Sequence, residues 1–188
     1  MSSDMQDKQI LVALVENRPG VLNRVASLFR RRNYNVDSLT VGRTHKPDMS
    51  RMTIVVDAKR TNVRQIVANL AKMVNVIDVR YLSHEPHVAR DLALVKVRAQ
   101  DATAFNTVTE ICERFPARIV DIGPEVTILE ITAREEMVEN FIEELRPLGI
   151  VEMVRTGIVA MGRGTRIHDK DHVPAVPLNT ANGKQQVI

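Results

Sequence analysis

The apolar residues of this chain run twice through the same cycle of spacings, and that repetition limits the possible folds more than any other feature. Residues 9–15, QILVALV, form a continuous apolar run of strand length, as expected of a strand buried in a sheet. ENRPG follows, with Pro19 suited to the first position of a helix. Val21, Leu22, Val25, Leu28 and Phe29 then recur at helical spacing on one face, and Asn33 is the stop. Residues 34–41 alternate in part and predict a second strand. GRTHKPD reads as a hairpin turn built on Gly42 and Pro47-Asp48, and residues 52–56 as a β-branched third strand. Thr61 or Asn62 can cap a helix carrying Val63, Ile66, Val67, Leu70 and Met73, and residues 74–82 predict a fourth strand. The order is β-α-β-β-α-β, the split unit of the ferredoxin-like fold.

The cycle then restarts. Residues 83–90, SHEPHVAR, are polar and read as a linker. Residues 92–97 predict a strand. Asp101 caps a helix running to about Phe115, where Pro116 ends it. Residues 119–122 and 125–131 pair across Gly123-Pro124. Thr132 with Glu135 three residues on has the capping-box pattern, before a helix carrying Val138, Phe141, Ile142 and Leu145. Residues 150–154, extended in one reading to Met161, form the last strand. The fold class is therefore α+β, two tandem ferredoxin-like βαββαβ domains. Their bounds are an N-terminal extension at 1–7, a first domain at 8–83, a linker at 84–90 and a second domain at 91–164. The tail at 165–188 has no period and reads as disordered.

Two units of this size, within 188 residues, are small enough to lean on each other or on a partner subunit. Aromatic residues are only 3% of the chain, so the cores must be aliphatic. The sequence has no apolar run near the ~18 residues of a membrane span, and MSSDMQDKQ lacks the order of a secretory signal. A single cysteine, Cys112, cannot form an intrachain disulfide, so the expected setting is the cytoplasm. The net charge of +3 permits an anionic partner without demanding one. Its one strong cluster, Arg30-Arg31-Arg32, closes a helix, where cations oppose the negative end of the dipole.

Catalytic chemistry fails on inventory. Cys112 lies within a helix and reads as a small buried hydrophobe. There is no G-x-S-x-G, no phosphate loop and no dinucleotide fingerprint; Gly162-x-Gly164 lacks the third glycine and the following helix. His84 with His87, and His168 with His172, lie in linker and tail and read as solvated side chains rather than metal ligands. RNA-recognition domains share the topology, but they stack bases on sheet aromatics, and residues 51–56 and 127–130 contain none. What remains is the first strand-to-helix turn, residues 16–20. A helix N-terminus can hold a carboxylate, Gly20 lets a ligand approach the backbone, and Asn17 offers a donor and an acceptor. The same residues could equally serve only to cap the helix and relieve the turn.

Residues 14–22, LVENRPGVL, resemble the opening turn of ACT domains, small amino-acid-sensing modules. Residues 34–41, YNVDSLTV, with Thr44, Pro47 and residues 50–54, SRMTI, closely resemble the signature of the small regulatory subunits of acetolactate synthase (acetohydroxyacid synthase). Residues 94–97, LVKV, and Arg155-Thr156-Gly157 through Arg163-Gly164 match that family's second domain. The resemblance spans about residues 8–164.

It implies an N-terminal ACT domain that senses valine and a C-terminal ACT-like domain. It implies activation of a separate catalytic subunit, which uses thiamine diphosphate, Mg²⁺ and FAD to join two 2-oxoacids on the way to valine, leucine and isoleucine. It also implies feedback inhibition by valine, the allosteric effector, with no catalytic residue, metal or cofactor in this chain. The implied partners are the catalytic subunit and a second copy paired through the ACT domains, with neither nucleic acid nor membrane. Carried onto this sequence, Asn17 and Gly20 hold the effector's carboxylate end, and Asn35 and Val36 reach it from the other copy. Leu14, Val15 and Val21 are further candidates for the pocket wall. The alternative is a stand-alone ACT-type amino-acid sensor or regulator. A DNA-binding version would need a helix-turn-helix, and none is left once both cycles are assigned.

Overall fold

The computed structural model describes residues 8–57, 59 and 62–164. The first unit runs β1 (Lys8–Glu16), α1 (Val21–Arg31), β2 (Val36–Arg43), β3 (Met49–Asp57), α2 (Val63–Leu70) and β4 (Val76–Tyr81). The second runs β5 (His87–Arg98), α3 (Ala102–Arg114), β6 (Ala117–Ile122), β7 (Val126–Ala133), α4 (Glu135–Leu145), β8 (Ile150–Arg155) and β9 (Val159–Gly162). Sheet orders are β2-β3-β1-β4 and β6-β7-β5-β8, with β9 added to β5. Both are antiparallel ferredoxin-like sheets with their helices on one face.

Why β1 reads as an unbroken apolar run is visible in what covers it. Leu11, Ala13 and Val15 pack with α1 and α2 against Met52, Ile54 and Val56. Ile10 and Val12 point the other way, into a separate cluster with Val55, Leu82, Ile158 and Ala160. The C-terminal segment of the second unit thus seals part of the back of the first sheet. The inner half of β5 shows the contrast: Ala93, Val95 and Val97 are buried, while Leu94 and Arg98 are exposed and Lys96 is half-buried. One face of that sheet is open to solvent, so its strand alternates.

Local signals account for most boundaries. The Asn62 side chain accepts from the Gln65 amide and starts α2, and Asp101 accepts from the Ala104 amide at 2.8 Å and starts α3. Asn33, at φ 54°, ends the α1 segment in the left-handed region, as its side chain permits. Val21, Val25, Leu28 and Phe29 form the buried face of α1.

Several expectations need correction. Pro19 is not the first helical residue; Gly20 precedes α1 in a left-handed conformation. Leu22 is 47% exposed, at the rim of the helix's apolar stripe. Thr132 does not cap α4. It lies in β7, drawn out by pairing with Leu92, and α4 begins after Arg134 with no side-chain cap. The segment 84–90 is not all linker: His87–Arg90 opens β5 and pairs with β9 in the register His87↔Gly162 to Arg90↔Val159. Its proline and charges hid a strand that needs only one apolar side, supplied by Ala89 against the seam cluster. The last strand does not run on to Met161, because the chain turns at Gly157 (φ 77°) and β9 starts afresh on β5. The tail at 165–188 lies outside the described residues, with His168 and His172 in it.

Candidate functional site

The turn between β1 and α1 is held from outside. The Asn17 amide donates to the Asp48 carbonyl at 2.7 Å, and its side-chain Nδ2 donates to the Pro47 carbonyl at 3.0 Å. Asn17 therefore does not cap α1; it ties the turn to the tip of the β2–β3 hairpin. No side chain caps α1, and its first turn contains no acidic residue. The adjacent Glu16 carboxylate accepts from Asn75 Nδ2 at 2.7 Å and lies 3.6 Å from the Arg18 guanidinium. Arg24 in turn donates to Asn75 at 2.8 Å. Gly20 sits at φ 83° with no atom within 4 Å of where a Cβ would stand. The positive end of α1 is thus presented beside open space, an arrangement that favours a carboxylate.

The other sequence-derived candidates separate into three places. Val15 and Val21 are buried in the helix-side core beneath the turn. Leu14, though next to Val15, faces the opposite side of the sheet, as strand alternation demands, and lines a cleft on the back. Leu14 and Val15 do not wall one pocket. Asn35 and Val36 stand at the far end of the sheet: Val36 pairs with Val56, and Val56 with Gln9. Gln9 and Glu16 are seven residues apart, about 23 Å along a strand. Within one copy, then, Asn17 and Gly20 do not meet Asn35 and Val36.

β2 is the outermost strand of its sheet. Leu39 and Val41 on it are 37% and 41% exposed, on the face that the helices cover elsewhere. The end of β2 lies level with the turn, since Arg43 pairs with Ser50 and Ser50 with Val15. The hairpin carbonyls that hold Asn17, and Asn75 on Glu16, were not foreseen from the sequence. Both act across 30 residues or more, where no local pattern signals them.

Among the described residues, no group of three or more His, Cys, Asp or Glu side chains is placed to hold a metal. None of their helices is long and apolar enough to cross a membrane. Cys112 is half-buried, and burial pushes its thiol above the ordinary range.

The two split β-α-β-β-α-β sheets are tandem ferredoxin-like units of the ACT type, the first opening on an uncapped, glycine-led helix and the second on a helix capped by Asp101. The comparisons narrow this. Residues 11–78 match a family model described as an AHAS small subunit-like ACT domain, and residues 90–164 one described as the small subunit of acetolactate synthase. A protein of Archaeoglobus fulgidus named "Probable acetolactate synthase small subunit" is 45% identical over 159 residues, 85% of this chain and 99% of its own. The acetolactate synthase small subunit of Mycolicibacterium smegmatis is 44% identical over 156 residues, covering 83% of this chain and 91% of that one. The crystal structure of the Thermotoga maritima small subunit superposes with a TM-score of 0.77 at 37% identity, over 85% of this chain and 99% of that chain. The chain belongs to the family of acetolactate synthase small subunits, and its role is that of a regulatory subunit.

Proposed function

We propose that this chain activates a separate catalytic subunit of acetolactate synthase in the cytoplasm and makes it sensitive to valine. It supplies no catalytic group; thiamine diphosphate, Mg²⁺ and FAD belong to the catalytic chain. Valine binds at a seam between two copies, where the β2 edges pair about a two-fold axis. The observation that carries this reading is the distance between the two halves of the candidate site. Antiparallel edge pairing sets the start of β2 in one copy beside the end of β2 in the other. That juxtaposes the partner copy's Asn35–Val36 region with the Asn17–Gly20 turn, covers Leu39 and Val41, and satisfies an open strand edge. The effector's carboxylate then sits on the N-terminus of α1. For inhibition, valine must bind the less active arrangement of the complex more tightly; equal binding would shift nothing.

The test is a purified heterodimer of a Gly20→Asp chain and an Asn35→Ala chain. One seam site carries both substitutions and the other neither, so calorimetric titration should find half the sites binding valine with wild-type affinity. No wild-type-like site would mean that the pocket lies within one copy. In parallel, the purified chain alone should make no acetolactate, and should raise the rate of the catalytic subunit when added to it.

A further inference from the structure

Neither helix of the first unit contains an acidic residue. The chain has no Asp or Glu from residue 17 to 36 or from residue 62 to 77, stretches that include Arg24, Arg30, Arg31, Arg32, Arg64 and Lys72. Among the described residues none of these cations meets a carboxylate; Arg24 donates to the Asn75 side chain at 2.8 Å. The second unit's helices are the opposite. α4 carries glutamates at 135, 136, 139, 143 and 144, and most of them are matched: Glu135 by Lys8, Glu139 by Arg155, Glu143 by Arg146 and Glu144 by Arg114.

Several of the unmatched cations of the first unit gather in one place. α1 and the loop between α2 and β4 enclose an open groove of about 420 Å³. Arg24 and Arg31, two turns apart on α1, line one bank and Lys72 the other, with no acidic residue on the walls. On the loop Val74, 92% exposed, is the barest large apolar side chain of the described residues. Like charges set side by side repel, so a row of this kind costs the isolated chain stability that an anionic partner would return. A bare valine beside them adds apolar area for the same partner to cover.

A second copy is a poor source of that anion, because the α4 carboxylates are mostly spent on their own chain's cations. Residues 165–188 are no better, with Arg166, Lys170 and Lys184 against Asp169 and Asp171. We propose that the groove docks an acidic segment of the catalytic subunit, its carboxylates against Arg24, Arg31 and Lys72 and an apolar side chain against Val74. This rests on the reading of the chain as the regulatory partner of that subunit. No residue of the β2 edge lines the groove. Edge pairing through β2 about an axis perpendicular to the sheet leaves the grooves of both copies on one side, where a two-fold catalytic partner meets both at once.

The test is the affinity of the full chain for the purified catalytic subunit, measured by calorimetry at low and at high salt. Binding should weaken about tenfold as salt rises, because exposed charges are screened. An Arg31→Gln, Lys72→Gln double variant, with thermal unfolding matching the parent, should bind about tenfold more weakly at low salt and lose most of the salt dependence. Val74→Ser should weaken binding and leave the salt dependence intact. An Arg114→Gln, Arg146→Gln control, which removes the same charge from the second unit, should bind like the parent. Parent-like affinity in the double variant, or an equal loss in the control, overturns the proposal. So does a double variant that loses affinity for duplex DNA but keeps it for the catalytic subunit, which would make this face a nucleic-acid site. A parent chain that neither binds nor activates the catalytic subunit at any salt overturns the underlying reading, and the proposal with it.

Discussion

Gly157 stands so close to Ser38 that a Cβ on it would lie 3.1 Å from the Ser38 Cβ and 3.2 Å from Thr40 Oγ1. The same approach lets Thr40 Oγ1 donate to the Thr156 carbonyl at 3.0 Å, joining β2 of the first unit to the turn after β8 of the second. Gly157→Ala meets both a steric and a conformational penalty, because φ is 77° there. It should destabilise the chain by about 1–3 kcal/mol, read as a lower urea midpoint. An unchanged midpoint would show that the clasp yields at no cost.

Gly20→Asp meets a different balance. The space for its side chain is open, but the left-handed backbone remains, so it should cost about 1 kcal/mol of stability, which Asp tolerates better than most residues. Its carboxylate occupies the place proposed for the effector's. Valine inhibition of the reconstituted enzyme should disappear while activation persists, and retained inhibition would place the effector elsewhere.

Lys8 reaches across to Glu135 of the second unit at 2.7 Å while pairing with Asp37 of its own unit at 3.0 Å. Burial pulls its ammonium down, but the hydrogen bonds and charges of Glu135 and Asp37 outweigh it and hold Lys8 above its ordinary value. A raised pKa stabilises fully below the unfolded-state value, and that stability is lost as pH rises through the folded one. Lys8→Met should therefore destabilise by about 1 kcal/mol at neutral pH, and the gap from the parent should hold until lysine titrates, then close. Denaturant melts at pH 7.5, 9.5 and 11 check the sign; a gap that widened with pH would refute it.

Cys112, raised by burial, should be almost wholly neutral thiol at pH 8. Reaction with a thiol-exchange reagent should be at least tenfold slower in the folded chain than in urea. A rate near that of the unfolded chain would show that the α3 face opens readily.

The repeated topology was legible because each element carries its own period and punctuation: the unbroken run of β1, the Asn62 and Asp101 caps, and the stop at Asn33. The errors cluster where a distant segment decides. Thr132 looked like a cap until Leu92 drew it into a ladder, and His87–Arg90 looked like linker until β9 paired with it. The candidate site was partly legible. The glycine-led turn stands out locally, whereas the carbonyls of Pro47 and Asp48 that fix Asn17 carry no side-chain signature. Leu14 is a pocket-wall candidate only through the resemblance, and strand alternation sends it to the other face.

β5 spans twelve residues, its first four paired with β9 and the rest central to the second sheet. It is a strut that runs from the β9 pairing, which rests on the back of the first sheet, into the centre of the second sheet. A cut before residue 85 would therefore not yield two independent pieces. The leading half would bare Ile10, Val12 and Val55 to water, and the trailing half would lose the surface on which Ile158 and Ala160 rest.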